Sequence, residues 1–311
     1  MEKVDRMTGT TVLVTGGSGF IGANLCSRLS SIGARVHAIS RQQLAPASEL
    51  IHWWQADLRD ITCIRKVFKS VQPEIVFHLA SHVTGARELG EVLPTFYDNL
   101  ASTVHLLTIA CETGCRRIVL ACSSEEPLAL DSTTFPCSPY AAAKLAGSIY
   151  GRMFYNLFKL PIVMPRIFMT YGPNQKDLQK LVPSVVLQLL RGESPKLSSG
   201  QRRADWTYID DVVEGLVRAA ILPGIEGCAF DLGTGSLVSV RQVVEEIVKI
   251  VGSSVTPAFG ALADRVFEQE RPADTGFSIN RLGYKPETPL RQGLEATVAS
   301  YRRQLTAARN L

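Results

Sequence analysis

Thr15-Gly-Gly-Ser-Gly-Phe-Ile-Gly22 follows an apolar run, Thr11-Val-Leu-Val14, and opens a helical pattern carried by Ile21, Leu25, Leu29 and Ile32. Run, turn and helix in that order make a phosphate cradle. Glycine lets backbone approach a pyrophosphate closely, and a helix N-terminus presents unpaired N–H groups and a partial positive charge. The spacing is Gly16-x-x-Gly19-x-x-Gly22 and not G-x-G-x-x-G. Glycine-rich turns also occur for conformational reasons alone. The strand-to-helix setting is what points to a dinucleotide here.

Outward from this turn, strand-like and helix-like segments alternate. Arg35-Val-His-Ala-Ile39, Ile75-Val-Phe-His-Leu79 and Arg117-Ile-Val-Leu-Ala121 are short apolar runs suited to strands covered on both faces. Between them lie helical patterns at Ile61/Ile64/Val67/Phe68, over about 20 residues from Leu93, and from Tyr140 to Phe158. The alternation predicts an α/β fold with a doubly wound parallel sheet. After Tyr171-Gly-Pro-Asn174 the rhythm loosens. Leu178, Leu181, Val182, Val185, Val186 and Leu189 predict one helix, and Ser239 is a candidate N-cap for another over 240–251. This part is expected to form a smaller lobe over the C-terminal edge of the sheet.

At 311 residues, 46% hydrophobic and 20% charged, the composition is that of a globular protein with a sizeable core. The formal net charge is +4, and basic residues pair only briefly, as in Arg116-Arg117 and Arg202-Arg203, so no nucleic-acid footprint is expected. Seven cysteines show no Cys-x-x-Cys pair. Cys111 and Cys115 lack a His or carboxylate cluster, so no metal site is expected. Met1-Glu-Lys-Val-Asp-Arg6 reads as a charged lead-in without a signal peptide, and no apolar run reaches a membrane span. A cytoplasmic protein is expected.

Tyr140-Ala-Ala-Ala-Lys144 sets a phenol and an ammonium four residues apart on one helix face. The neighbouring cation is expected to draw the phenol below its ordinary value of about 10, making it a candidate acid/base. Cys122-Ser123-Ser124-Glu125 ends the run at Ala121, where a hydroxyl could hydrogen-bond a reacting oxygen; a serine-rich turn capping the strand is the alternative.

With these pieces the chain resembles an extended short-chain dehydrogenase/reductase of the nucleotide-sugar epimerase and dehydratase branch. The matching residues are Gly16/Gly19/Gly22, Asp57-Leu58, His78-Leu-Ala80, Asn99, Ser123-Ser124, Tyr140/Lys144, Arg166 with Tyr171-Gly-Pro173, Tyr208-Ile-Asp-Asp211 and Arg271-Pro272. The resemblance implies a Rossmann domain over 8–172, its sheet completed by segments around 204–235, and a nucleotide-sugar lobe mainly over 173–311. It implies Tyr140 as acid/base, Lys144 as its support and a nicotinamide-ribose contact, and Ser123 as polariser of the substrate oxygen. Glu125 falls where relatives that eliminate water often carry a glutamate, although epimerases and decarboxylases carry it too; a solvated turn carboxylate is the alternative. The implied cofactor contacts are Gly16, Gly19, Phe20, Ile21, Gly22, Ser40, Arg41, Asp57, Leu58, Leu79, Ala80 and Asn99, beside Tyr140 and Lys144. Substrate contacts are implied at Ser124, Met169, Arg202, Arg203 and Arg271. A homodimer is implied, built on the helices beginning near Leu93 and Tyr140.

Relatives of this fold that select NAD usually end the second strand with an acid. Here Ser40-Arg41 stands in its place, which favours NADP over NAD, since a guanidinium suits a 2′-phosphate. The family pattern fails at several points. Pro127 and Leu128 replace an aromatic and a glycine, Met169 replaces an asparagine, and Ala204 stands where an arginine usually precedes Asp205-Trp206. The segment from Arg271 to Leu282-Gly-Tyr284 is short.

Three functions fit. The first is an epimerase or dehydratase moving hydride at C4 of a nucleotide-linked hexose. The second is an NADPH-dependent 4-ketoreductase, and the third a non-catalytic NADP-binding sensor.

Overall fold

A computed structural model describes residues 7–44, 50–129 and 134–309, with side chains to 307. The N-terminal reading of residues 1–6 lies outside the described residues. The strands are β1 (Thr11–Thr15), β2 (Arg35–Ser40), β3 (Ile51–Gln55), β4 (Ile75–His78), β5 (Arg117–Leu120), β6 (Cys122–Ser123), β7 (Ile162–Ile167), β8 (Met169–Tyr171), β9 (Arg203–Ala204), β10 (Trp206–Tyr208), β11 (Ala229–Leu232) and β12 (Val238–Ser239). The helices are α1 (Phe20–Ser31), α2 (Ile61–Val71), α3 (Val92–Thr95), α4 (Ser102–Thr113), α5 (Pro139–Phe158), α6 (Leu181–Leu190), α7 (Ile209–Ile221), α8 (Val240–Val251), α9 (Gly276–Asn280) and α10 (Leu290–Arg309).

The main sheet runs β11-β7-β5-β4-β1-β2-β3, with β6 paired to β7. Its ladders from β3 to β7 are parallel. Strand order reverses at β1, which lies between β2 and β4, so the ends of β1 and β4 form the switch point where such sheets bind ligands. Helices cover the sheet through apolar stripes. α1 buries Gly22, Leu25, Cys26 and Leu29, and α2 buries Ile64, Val67, Phe68 and Val71 behind an Asp60 N-cap. This is the α/β doubly wound architecture expected.

Two strands of the main sheet were not expected. Ile51-His-Trp-Trp-Gln55 has no clean alternation, yet it pairs with β2 at the edge. Ile162–Ile167 carries Pro165, which argues against an interior strand. Proline has no N–H to donate, and here the partner changes around it: Ile162 and Val163 face β5, whereas Arg166 and Ile167 face β6.

The chain divides into two compact units. The first contains Met1–Ile167, Val213–Asp231 and Phe277–Tyr284; the second contains Phe168–Val212, Leu232–Gly276 and Lys285–Leu311. The expected parts were 8–172, completed by segments around 204–235, and mainly 173–311; the two units interleave along the chain at more points than that. Of the segments expected to complete the sheet around 204–235, only Ala229–Leu232 joins it. β10 pairs with β8, and β9 pairs with β12. Asp205 holds them there. Its buried carboxylate accepts from the N–H groups of Thr234, Gly235 and Ala273 and from the Thr234 hydroxyl, all within the second unit. That unit has its own core, with Val185, Val186, Val243, Val244, Ile247, Leu294 and Val298 fully or almost fully buried.

α6 starts at Leu181, leaving Leu178 half exposed before it. Asp177 explains the delay, since its carboxylate accepts the Gln179 N–H and its carbonyl the Lys180 N–H, a turn that overrides the apolar period. The helix expected from Leu93 is α3, one π-helical stretch over Phe96–Ala101, and then α4. α8 begins at Ser239 as expected, with a full capping box to Gln242.

Candidate active site

The switch point is built from backbone. Gly16 has φ of +69°, and a Cβ there would lie 2.7 Å from the Ala80 nitrogen. A Cβ on Gly22 would meet the Gly16 carbonyl oxygen at 2.1 Å. Neither position admits a side chain. Gly19 is the N-cap of α1 and supplies no side-chain cap, which leaves first-turn N–H groups at Phe20, Ile21 and Gly22 for a ligand. Such a turn can hold a pyrophosphate, so these residues fit a dinucleotide.

His78 ties the two strand ends together. One ring nitrogen bonds the Thr15 hydroxyl at 2.8 Å and the other the Thr103 hydroxyl at 2.9 Å. Burial, aided by the Lys144 charge, pushes its pKa down to about 3, so the ring is neutral. Thr15 also accepts the Ala80 N–H. Leu79 and Ala80 are partly buried beside it. Asn99, within the π-helical stretch, is buried and accepts the His82 N–H while donating to the His82 carbonyl. It pairs as a strand residue would, fixing the 80–82 loop.

At the end of β2, Ser40 is buried and accepts the Gln42 N–H, while the Arg41 side chain is largely exposed and reaches Asp98 at 3.4 Å. Asp57 is held below the usual carboxylate range by a fork of hydrogen bonds from Arg59, 2.6 to 3.0 Å long. Arg59 also approaches Asp98 at 3.8 Å. It was not foreseen; its place two residues after Asp57 is the only signal in the sequence. Leu58 is buried.

Ser123, Tyr140 and Lys144 come together in the first unit. Ser138 caps α5 by accepting the Ala141 N–H, and Pro139 occupies its first turn. Tyr140 is thus held at the helix start, where its phenol is hydrogen-bonded by Ser123 on β6. Lys144 lies one turn on, with its ammonium 5.9 Å from the Tyr140 ring centre. Its Nζ donates to the Ala121 carbonyl at 2.9 Å. Ser124 is partly buried and donates its N–H to the Ile167 carbonyl. Glu125 is partly buried, and its N–H donates to the Ser123 hydroxyl oxygen.

One expectation is corrected. Tyr140 does not titrate low in this structure, because burial pushes its phenol up. Glu125, Glu126 and Cys122 push the same way, and only the Ser123 hydrogen bond acts against them. Burial also draws the Lys144 ammonium below its ordinary value, with Cys122 and Glu126 opposing.

Glu126 was passed over in favour of its neighbour. It is buried, and its two carboxylate oxygens accept the Ser123 N–H at 2.8 Å and the Ser148 hydroxyl at 2.6 Å. The signal available was Ser148, which continues the Tyr140/Lys144 stripe at helical spacing.

The second unit holds the remaining residues. Met169 lies on β8 and packs against that unit's core. The arginines expected for a diphosphate already have partners: Arg202 pairs with Glu268 at 2.6 Å and Arg203 with Glu270 at 3.0 Å. The Arg271 guanidinium lies over the Phe168 ring, 4.7 Å from its centre. Pro127 is buried and Leu128 exposed, in the first unit. Among the described residues there is no cluster of three or more potential metal ligands, and no helix is long and apolar enough to cross a membrane.

The fold has counterparts among known proteins. A UDP-glucose 4-epimerase of Mycolicibacterium smegmatis is 30% identical, with 93% of this chain and 98% of the relative covered. A dTDP-D-glucose 4,6-dehydratase of Mus musculus is 25% identical over 94% of this chain and 88% of its own length. Among solved structures, an epimerase of Methanothermobacter thermautotrophicus matches with a TM-score of 0.89 at 25% identity, covering 100% of this chain and 97% of that one. A UDP-glucuronic acid 4-epimerase from Bacillus cereus, solved with UDP-glucuronic acid and NAD, matches with a TM-score of 0.84 at 25% identity, covering 94% and 99%. The model of the NAD dependent epimerase/dehydratase family matches residues 12–224, more than half of the chain, and the chain belongs to that family.

Proposed function

We propose that this enzyme carries out redox chemistry at C4 of a nucleotide-linked hexose, as an epimerase or dehydratase. The observation that carries the reading is the junction of the Ser123 hydroxyl with the Tyr140 phenol, with Lys144 one turn behind. Bound with its pyrophosphate on the Gly16–Gly22 turn, a nicotinamide dinucleotide would supply the acceptor and donor of hydride. Tyr140 takes the proton from the C4 hydroxyl as the carbonyl forms and returns it when the carbonyl is reduced. Ser123 hydrogen-bonds the same oxygen and stabilises its developing charge. An oxidised nicotinamide ring, itself positive, would favour the phenolate against the burial that raises it in the free protein, with Lys144 one turn behind. Arg271, with Arg202, Arg203 and Met169, belongs to the nucleotide-sugar side, and Ser124 to the sugar.

Elimination needs a second acid/base. Glu125, partly buried with its N–H on the Ser123 hydroxyl oxygen, is the carboxylate proposed for that role. A second reading, an NADPH-dependent 4-ketoreductase, is supported by Ser40-Arg41 and by Arg59 beside it, which together suit a 2′-phosphate. We therefore keep NADP ahead of NAD as the preferred cofactor. The two readings separate on one assay. Sugar nucleotides with glucose, galactose and glucuronate, and one carrying a 4-keto-6-deoxyhexose, are incubated with and without added NADPH. Conversion without net change in nicotinamide absorbance supports the first reading. Stoichiometric NADPH consumption supports the second, and no conversion by either route removes both.

The helices near Leu93 and Tyr140 expose Leu93, Phe96, Tyr97, Ile149, Tyr150 and Leu157 in the first unit, and a second copy of the chain is the proposed cover. All seven cysteines are unpaired, which suits a reducing cytoplasm.

A further inference from the structure

We infer that Glu126 is a positioning residue, a buried carboxylate that ties the strand carrying Ser123 to the helix carrying Tyr140 and Lys144, and not an acid or base that meets the sugar. The inference rests on the C4 redox reading and goes one layer beneath it.

The geometry is specific. Oε1 accepts the backbone N–H of Ser123 on β6, and Oε2 accepts the hydroxyl of Ser148 on α5. The Glu126 N–H in turn bonds the Ser123 carbonyl, closing a tight loop on the strand end. Ser148 lies one helical turn beyond Lys144 and two beyond Tyr140, so one side chain spans from the catalytic serine to the catalytic stripe. Cys122 adds a third contact, with Sγ 3.0 Å from the Ser148 hydroxyl. A carboxylate with both oxygens engaged and almost no exposed surface has no face left for substrate. Leaving it unpaired would be costly, so the network acts as a fixed strut.

Its charge acts on the same groups. Around Glu126 stand Cys122 and Glu125 from the strand end, and Tyr140, Lys144 and Ser148 from α5. Arg166 faces this region from β7, itself paired with Asp231 of β11 at 2.6 Å, and His78 of β4 senses Lys144. Within this set the Glu126 carboxylate raises both the Tyr140 phenol and the Lys144 ammonium. Removing its charge makes both easier to deprotonate. The acid limb of the pH–rate profile, set by Tyr140, then moves to lower pH, and so does the basic limb, set by Lys144.

The test compares wild type, E126Q and S148A. Glutamine keeps an acceptor for the Ser123 N–H but loses the charge. For E126Q we expect kcat to fall roughly tenfold to a hundredfold, KM to stay within about twofold, and both limbs to shift to lower pH. S148A keeps the charge, so its kcat should fall less and its limbs stay in place. A loss of kcat that follows thermal stability alone, with unmoved limbs, overturns the inference. Accumulation of reduced cofactor and keto-sugar in E126Q also overturns it, because Glu126 would then be handling protons on the sugar. Titration of ¹³C-labelled tyrosine with bound dinucleotide needs no sugar nucleotide. If wild type converts no sugar, the C4 reading fails by itself, and a downward shift of the Tyr140 phenol in E126Q still supports the strut while no shift overturns it.

Discussion

Lys144 donates from Nζ to the carbonyl oxygen of Ala121 at 2.9 Å, so the ammonium that accompanies Tyr140 is anchored to the end of β5. The lysine is fixed at both ends, by α5 and by the strand. Replacing it by methionine removes both the charge and that hydrogen bond. K144M should lose about a hundredfold or more in turnover, and Y140F about a hundredfold to ten-thousandfold. Y140F should bind dinucleotide nearly as wild type does, measured by fluorescence titration. Full activity in Y140F would remove the phenol from the chemistry.

Gly22 is the tightest point of the cradle, where a Cβ would meet the Gly16 carbonyl oxygen at 2.1 Å. Backbone cannot yield there without opening the turn. G22A should therefore weaken dinucleotide binding at least tenfold, about 1.4 kcal/mol, and lower thermal stability as well. Calorimetric titration with NAD and NADP reads the first effect. Wild-type affinity in the variant would remove the turn from cofactor binding.

His78 should make stability depend on pH. Its pKa falls from 6.5 in the unfolded chain to about 3 in the folded one. Between those values the unfolded chain binds a proton that the folded chain refuses, so stability falls as pH drops. The slope is about 1.4 kcal/mol per pH unit from this group. Above about pH 6.5 the contribution is flat. Urea unfolding between about pH 7 and pH 5 should give a shallower slope for H78N than for wild type. Equal slopes would show that the ring is protonated in the fold.

Asp205 accepts four hydrogen bonds from 234–235 and 273 while almost fully buried. D205A strands all the donors at once and should cost about 3 to 5 kcal/mol. Denaturation of the full chain followed by Trp206 fluorescence measures the loss. Substitution of exposed Arg203 should change stability by less than about 1 kcal/mol.

Arg41 is the residue on which the proposed preference for NADP turns. R41A should lower affinity for NADP about tenfold and leave NAD within about twofold, since only the former carries a 2′-phosphate for the guanidinium. An equal effect on both dinucleotides, or tighter wild-type binding of NAD, would reject the preference.

Particular elements show how far local patterns reached. Thr11–Thr15, the glycine turn and α1 were legible because apolar period, glycine spacing and helix start agree. β7 was not, because Pro165 contradicts an interior strand until one sees the ladder change partner around it. α6 began three residues late because an Asp177 turn outweighed an apolar period that Leu178 appeared to extend. In the site, Tyr140 and Lys144 were readable as a helical pair. Glu126 was not, since two adjacent glutamates look alike until one side chain turns inward to Ser148.

The sequence by itself determined the alternation of strand and helix behind the doubly wound sheet, the glycine turn that opens it and the residue types available for proton transfer. These follow from local periodicity and backbone freedom, which need no distant contact. Tertiary structure decided which acid is buried, that Arg202 and Arg203 are matched to Glu268 and Glu270, and that Tyr140 is raised and not lowered in the free protein. Those outcomes depend on desolvation and on charges brought close by the fold, and neither quantity exists along the chain alone.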